Sequence, residues 1–216
     1  MTSSQFAEAL TARAAAAGLI VTPEASRQLE AYVQLLRQWN AKINLTALRL
    51  DPLNDEAVDR LLIEPLVAAR FVAAPQAWCD IGSGGGSPAI PFKIVHPAAK
   101  LTMVESTGKK AAFLREAIRV LNLTTTVVSN ERFESAASKW EHAFDLVTVR
   151  AVRSDPALFQ AIHRAVTETG QVFIFHSAEA RLNVASQFTI AELVPVSSGD
   201  AMLSILKPNV PRGTKG

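Results

Sequence analysis

Residues 80–91 read DIGSGGGSPAIP, and four of the chain's ten glycines, Gly82, Gly84, Gly85 and Gly86, fall within this stretch. An apolar run that predicts a buried strand, AWCDIG (77–82), leads into them, and a helical stretch follows. Glycine at such a crossing admits positive φ. It also lets a ligand lie against bare backbone at the carboxyl edge of a parallel sheet, whereas ordinary turn glycines are the plainer alternative. Spacing sorts the ligands. A dinucleotide fingerprint counted from Gly82 needs glycine at 87, where the chain has Ser87, and a phosphate loop needs Lys-Ser/Thr where it has Ser87-Pro88. What remains is D-x-G-x-G-x-G, built from Asp80, Gly82, Gly84 and Gly86. An acid at 80 repels a pyrophosphate and suits a ligand carrying an amino group and a sulfonium cation. S-adenosylmethionine (SAM) has both.

A second acid, Glu105, ends the next apolar run, KLTMVE (100–105), at the distance expected of a residue holding ribose hydroxyls; a solvated sheet edge or a helix cap is its other use. After the third run, TTTVVS (124–129), comes NERFES, where Phe133 and Glu134 are candidates for packing against adenine and meeting its amino group. Phe133 serves equally well as the first core residue of the next helix. Of the four histidines, His96, His142, His163 and His176, only His176 falls at a sheet edge facing the expected cleft. Lys109, Lys110, Arg115 and Arg119 share one helix, Arg150 and Arg153 flank the end of the fourth strand, and Lys207, Arg212 and Lys215 lie in the final ten residues. Such groups meet nucleic-acid phosphates, or else form a solvated face. No Ser-His-Asp set, carboxylate pair or metal-ligand cluster stands out.

These residues need a scaffold. Short apolar runs at 77–82, 100–105, 124–129, 144–149 and 170–175 alternate with helical stretches such as 108–121 and 154–166, which argues for an α/β fold with a parallel sheet. FTIAELVPV (188–196) and AMLSILKP (201–208) flank a short turn and predict a closing antiparallel hairpin. A parallel sheet that ends this way is the layout of SAM methyltransferases, and a simple dinucleotide domain does not end so. Residues 1–75 carry no convincing strand and form a helical N-terminal region; 76–208 form the SAM-binding domain, and 209–216 a basic tail. Thr22-Pro23-Glu24 is a helix start, and Pro65 should kink or split the helix over 55–72 because it lacks an N–H. Asn40 and Asn44, in WNAKINLT, suit caps and Asx turns.

Bulk properties agree. The 216 residues suffice for a sizeable core, and a 49% apolar content argues against extensive disorder. A net charge of +2 permits a nucleic-acid partner without demanding one. The lone Cys79 can form no internal disulfide, and neither a signal peptide nor a membrane span is recognisable, so the chain reads as a cytoplasmic protein.

LLRQWNAKINLTALR (35–49), DIGSGGGSPAIPFKIVHP (80–97), ESTGKKAAFLREAIRVLNL (105–123) and VRAV (149–152), in this order and spacing, resemble the ribosomal small-subunit RNA methyltransferase G family, formerly called glucose-inhibited division protein B. The resemblance implies a class I, Rossmann-like methyltransferase with a seven-stranded sheet. It implies methyl transfer from SAM to N7 of a guanine, position 527 in the usual rRNA numbering, of 16S rRNA in the small ribosomal subunit. By position it places Asp80, Gly82, Gly84, Ser87, Glu105, Phe133, Glu134 and Arg150 around the cofactor, and Lys109 and Lys110 on the family's basic pair. Lys109, Lys110, Arg115, Arg153 and His176 are then the residues expected to meet RNA by a chain acting as a monomer. Guanine N7 has a free lone pair, so no general base is required. The chain departs from the family at Leu61–Pro65, where a histidine-x-x-aspartate-serine element is usual. It departs again at His176-Ser177, where lysine-glycine is usual, and in the glycine loop at Ser87 and Ala89. These departures bear on the substrate, leaving open a methyltransferase with another acceptor or a non-catalytic RNA-binding relative.

Overall fold

In a computed structural model, residues 2–73, 75–151, 155–180, 182–197 and 199–209 are described. The chain opens with two capped helices. In α1 (Ser3–Ala16) the Thr2 side chain accepts from the Gln5 amide while the Gln5 side chain accepts from the Thr2 amide, a reciprocal capping box. In α2 (Pro23–Asn40) Thr22 caps the first turn and Pro23 occupies the position where a missing N–H costs nothing. Leu29, Tyr32, Val33 and Leu36 line its buried face. Asn40 ends α2 by accepting from both Leu45 and Thr46 amides, so the chain doubles back sharply over 41–46.

The stretch around Pro65 resolves in an unusual way. A short α3 (Asp55–Val58) widens into a π-helical turn (Asp59–Ile63) and narrows again into α4 (Glu64–Ala68). The missing proline N–H removes the donor that Leu61's carbonyl would otherwise meet, and the wider turn accommodates the mismatch without a break.

From residue 77 the chain winds a seven-stranded sheet: β1 (Ala77–Ile81), β2 (Lys100–Val104), β3 (Thr126–Ser129), β4 (Phe144–Arg150), β5 (Val166–Ser177), β6 (Phe188–Pro195) and β7 (Ala201–Pro208). The spatial order is β3-β2-β1-β4-β5-β7-β6. The first five strands are parallel, and the last two form the expected hairpin, antiparallel to β5 and to each other. Helices α5 (Ala89–Val95), α6 (Gly108–Val120), α7 (Phe133–Ala136) and α8 (Pro156–Ala165) connect the strands. One core packs Trp78, Met103, Leu146 and Phe173 of the sheet against α2, α4, α5 and α6; the other packs Cys79, Val147, Val172 and Leu206 with Phe133, Phe159 and Ile162 of α7 and α8. The N-terminal helices therefore share a continuous core with one face of the sheet. The order reverses at β1, between β2 and β4, and the carboxyl ends of these strands form the crevice where sheets of this kind bind ligands. Among the described residues, no helix is long and apolar enough to cross a membrane.

Candidate functional site

The glycine loop leaves β1 through three residues with positive φ: Gly82 at 70°, Gly84 at 48° and Gly86 at 87°. Each does a different job. Gly82 lets the chain turn so that the Gly82 and Ser83 amides both donate to the Val104 carbonyl, at 2.8 and 3.2 Å. Gly86 has no room for a side chain, since a Cβ there would lie 2.5 Å from Ile90 Cδ1. Gly84 is the open one: a Cβ would meet only the Gly82 carbonyl, at 3.6 Å, so bare backbone faces free space. From below, Tyr32 of α2 donates its hydroxyl to the Gly85 carbonyl at 2.7 Å, and a Cβ at Gly85 would lie 3.3 Å from both Leu36 Cδ1 and the Leu45 carbonyl oxygen. The WNAKINLT turn thus serves as a buttress for the loop.

Glu105 crosses from the end of β2 to this loop. One carboxylate oxygen accepts from the Gly84 amide at 3.0 Å and the other from the Thr107 amide at 2.7 Å. Asn130 donates to the Glu105 carbonyl at 2.7 Å, which ties the β3 end to the same point. Each carboxylate oxygen keeps a second lone pair, so the group fits a diol as well as the loop.

Asp80 lies one layer deeper, only 1% exposed. Its Oδ1 accepts from the Thr148 hydroxyl at 2.5 Å, across the β1–β4 pair in which Asp80 and Thr148 are register partners. Its Oδ2 is buried and has no hydrogen-bond partner. Burial pushes the carboxyl up from 3.8 to about 6; the Thr148 hydroxyl and Arg150 oppose the rise, and Glu105 adds to it. An orphaned carboxylate oxygen beneath a glycine turn, with a second carboxylate above, suits a cationic ligand such as SAM.

The carboxyl ends of β4 and β5 form a second half. Arg150 donates to Glu64 at 2.7 Å, to the Ser87 hydroxyl at 3.2 Å and to the Arg60 carbonyl, and lies 4.3 Å over the Phe175 ring. Ser87 in turn donates to the Leu61 carbonyl at 3.0 Å. Pro65 can supply a donor neither to this carbonyl (i−4) nor to that of Arg60 (i−5), so the π-turn offers acceptors that sew the N-terminal helices to the glycine loop and to β4. Burial raises the Glu64 carboxyl, with Arg150 opposing, and lowers Arg150 to about 10, with Glu64 opposing. Arg150 remains cationic at neutral pH. A cavity of about 450 Å³ opens beside the pair, lined by Arg60, Glu64, Arg150, Phe175 and His176. His176 is fixed there by Ser204, 2.8 Å from its Nε2, and by the Ser177 carbonyl, 2.8 Å from its Nδ1.

The structure brings Asp80, Gly82, Gly84, Gly86 and Glu105 together at the crevice. Ser87 and Arg150 join it from the β4 side, where they meet each other and Glu64. Phe133 is 3% exposed and stacks on Trp140 at 6.1 Å, so its ring is spent on the core. Glu134 is exposed in the first turn of α7. Lys109 and Arg115 are exposed on α6 and Lys110 is half-buried, while Arg119 pairs with Glu116. Arg153 and residues 210–216 lie outside the described residues. Sequence reasoning did not single out Tyr32, Glu64, Trp78 or Thr148. Glu64 left a trace, an acid within an otherwise apolar helical stretch. Tyr32 and Trp78 looked like ordinary core residues.

Residues 25–196 match the family GidB, described as rRNA small subunit methyltransferase G. A ribosomal RNA small subunit methyltransferase G from Pseudomonas putida is 34% identical over 216 residues, covering 96% of this chain and 97% of the relative. Another, from a Geobacter species, is 36% identical over 150 residues, 69% of this chain and 68% of that one. Among solved structures, a SAM-dependent methyltransferase from Aquifex aeolicus superposes with a TM-score of 0.57 at 13% identity, covering 73% of this chain and 94% of that one, which is a likeness of fold.

Proposed function

Since the chain belongs to the rRNA small subunit methyltransferase G family, we propose that it is a SAM-dependent methyltransferase that modifies N7 of a guanine, position 527 in the usual numbering, in 16S rRNA of the small ribosomal subunit. The observation that carries the reading is the buried, unpartnered Oδ2 of Asp80 beneath a loop whose backbone at Gly84 is open.

When bound, SAM supplies an electrophilic methyl group on a sulfonium. Asp80 offers Oδ2 to the ligand's ammonium hydrogens, and Glu105 offers its spare lone pairs to the ribose hydroxyls. Gly82, Gly84 and Gly86 let the ligand lie against the main chain, with Ser83 and Ser87 flanking it. Glu134, exposed in the first turn of α7 after β3, meets the adenine edge. On the acceptor side, the cavity of about 450 Å³ falls in the range of small-ligand pockets and takes a splayed purine. Phe175 and the Arg150 guanidinium give that base flat surfaces and Arg60 offers donors to its edge, while the His176 ring, with both nitrogens engaged, forms the wall beside it. Guanine N7 attacks through its free lone pair, so the protein's share is orientation and exclusion of water. Lys109, Lys110, Arg115 and Arg153 are the groups offered to RNA phosphates. We assign the protein to the cytoplasm, acting as a monomer.

Radiolabelled SAM, offered with small subunits from cells lacking this modification, should label one guanine, and Asp80→Ala should abolish the labelling. Absence of label in rRNA while SAM still binds would move the substrate elsewhere. Glu64 and His176 lining the acceptor cavity favour looking first at other nucleic-acid or purine acceptors, because these residues stand where the family pattern differs.

A further inference from the structure

Trp78, Thr148 and Asp80 form a buried line across β1 and β4. The Trp78 indole N–H lies 2.9 Å from the Thr148 hydroxyl oxygen, which lies 2.5 Å from Asp80 Oδ1. All three are essentially without solvent contact, at 0, 0 and 1% exposure. Donor and acceptor arithmetic then fixes every hydrogen. An indole N–H can only donate, so Thr148 must accept from Trp78. The hydroxyl has one hydrogen of its own, and among the described residues its acceptor is Asp80 Oδ1. Oδ1 is therefore held as an acceptor. Any proton on the carboxyl must reside on Oδ2, the oxygen with no partner in the protein.

On the reading that SAM fills the crevice, we propose that Trp78 and Thr148 are positioning residues that keep Asp80 Oδ1 occupied and confine its proton to Oδ2, so that protonation of Asp80 and binding of the cationic cofactor exclude each other. Below the titration point the ligand must displace a proton, and each binding event releases one; above it, the carboxylate is ready. The groups that face Asp80 are Tyr32 of α2, Ser83 of the loop, Glu105 at the end of β2 and Arg150 of β4, while the neighbouring Cys79 thiol points to the other side of the sheet. Burial holds Tyr32 and Cys79 neutral through the physiological range, and Arg150 stays charged. Ser83 does not titrate, and its hydroxyl donates to the Asp80 main-chain carbonyl at 3.1 Å. Burial, helped by Glu105 and opposed by Thr148 and Arg150, carries the Asp80 carboxyl to about 6, so the switch falls just below neutrality.

The test uses the full-length protein, with calorimetry of SAM binding from pH 5 to 8.5 in two buffers of different ionisation heat. A ¹³C titration of the Asp80 carboxyl without cofactor accompanies it. Wild type should bind with constant affinity above about pH 7, lose about tenfold per unit below about pH 6, and release up to one proton on binding there. Thr148→Val, similar in volume but without the hydroxyl, should move both the turn in the binding profile and the Asp80 titration upward by about one to two units, with near wild-type affinity at pH 8.5. Thr148→Ser should keep the wild-type profile, and Trp78→Phe, which frees the Thr148 hydroxyl to turn away, should shift it by less than Thr148→Val. A Thr148→Val protein whose Asp80 titrates as in wild type overturns the proposal, as does one whose affinity is lowered equally at every pH. Failure of the folded wild-type protein to bind SAM at any pH would instead overturn the methyltransferase reading, and the carboxyl titration would still decide whether the relay exists.

Discussion

The two halves of the crevice solve opposite problems. At the ends of β1 and β2 the protein leaves valences open: Asp80 Oδ2 has no partner, Gly84 leaves free space above its Cα, and Glu105 has lone pairs to spare. At the ends of β4 and β5 it closes them: Arg150 is shared among Glu64, Ser87, the Arg60 carbonyl and the Phe175 ring, and His176 is held on both nitrogens. The first half waits for charge and the second half is already neutralised. The difference suits a small cationic ligand on one side and, on the other, a flat neutral base that is to be gripped by shape. It also predicts that mutations will cost binding on one side and folding on the other.

The strongest way to break the contrast is at the ion pair. Glu64→Ala leaves Arg150 buried without its carboxylate and should lower stability by about 3–5 kcal/mol, measured by denaturant unfolding. The pair Glu64→Leu with Arg150→Met should recover much of that loss while still destroying turnover; additive losses would show that the pair contributes nothing as a unit.

Next is Asp80→Asn. In the folded protein this carboxyl titrates at about 6 instead of 3.8, so its ionisation opposes folding. The acid's contribution to stability is complete below about pH 4 and is lost as pH rises to about 6. The asparagine variant has nothing to ionise. Without cofactor it should match wild type near pH 4 and exceed it by about 3 kcal/mol at pH 7.5, read by thermal melts, while binding SAM poorly.

Two glycines sharpen the comparison within one loop. Gly86→Ala, with φ of 87° and Ile90 Cδ1 2.5 Å from the new Cβ, should cost about 1–3 kcal/mol of stability. Gly84→Ala has open space, so it should cost about 1 kcal/mol and act mainly on cofactor affinity. Equal effects of the two on folding would mean that the space above Gly84 is not a ligand site. The smallest effect is expected on α6: Lys109→Ala with Lys110→Ala should leave SAM binding unchanged and reduce the slope of log RNA affinity against log salt by about 1–2.

What could be read from the sequence follows the same division. The waiting half is contiguous. Asp80 through Ser87 and then Glu105 announce themselves by spacing, because a turn that needs positive φ at three places needs glycine there. The strands and the closing hairpin were visible for a similar reason, since their apolar runs and turns are local. The closed half is assembled over distance, Arg150 and Glu64 being 86 residues apart and Arg150 and Arg60 90 apart, and no local pattern encodes such pairs. Pro65 signalled a disturbance, but not that a π-turn would absorb it and turn its free carbonyl toward Ser87. Phe133 offered two roles of equal merit to the sequence, and its core role shows only in the fold, where it is buried against Trp140. The Trp78–Thr148–Asp80 line was hidden because each residue has a routine explanation alone. Their conjunction depends on the β1–β4 register.

The stitches from the π-turn to Ser87 and Arg150 also bear on how this architecture can be varied. A helical preface bonded to the ligand loop through its own main-chain oxygens cannot be traded for a relative's as a cassette, however similar the sheets. Any hybrid joined between residues 68 and 77 would import a turn with its carbonyls aimed elsewhere, leaving the guanidinium beneath it short of acceptors. Divergence in what such proteins modify is therefore expected to travel in matched changes on both sides of that join.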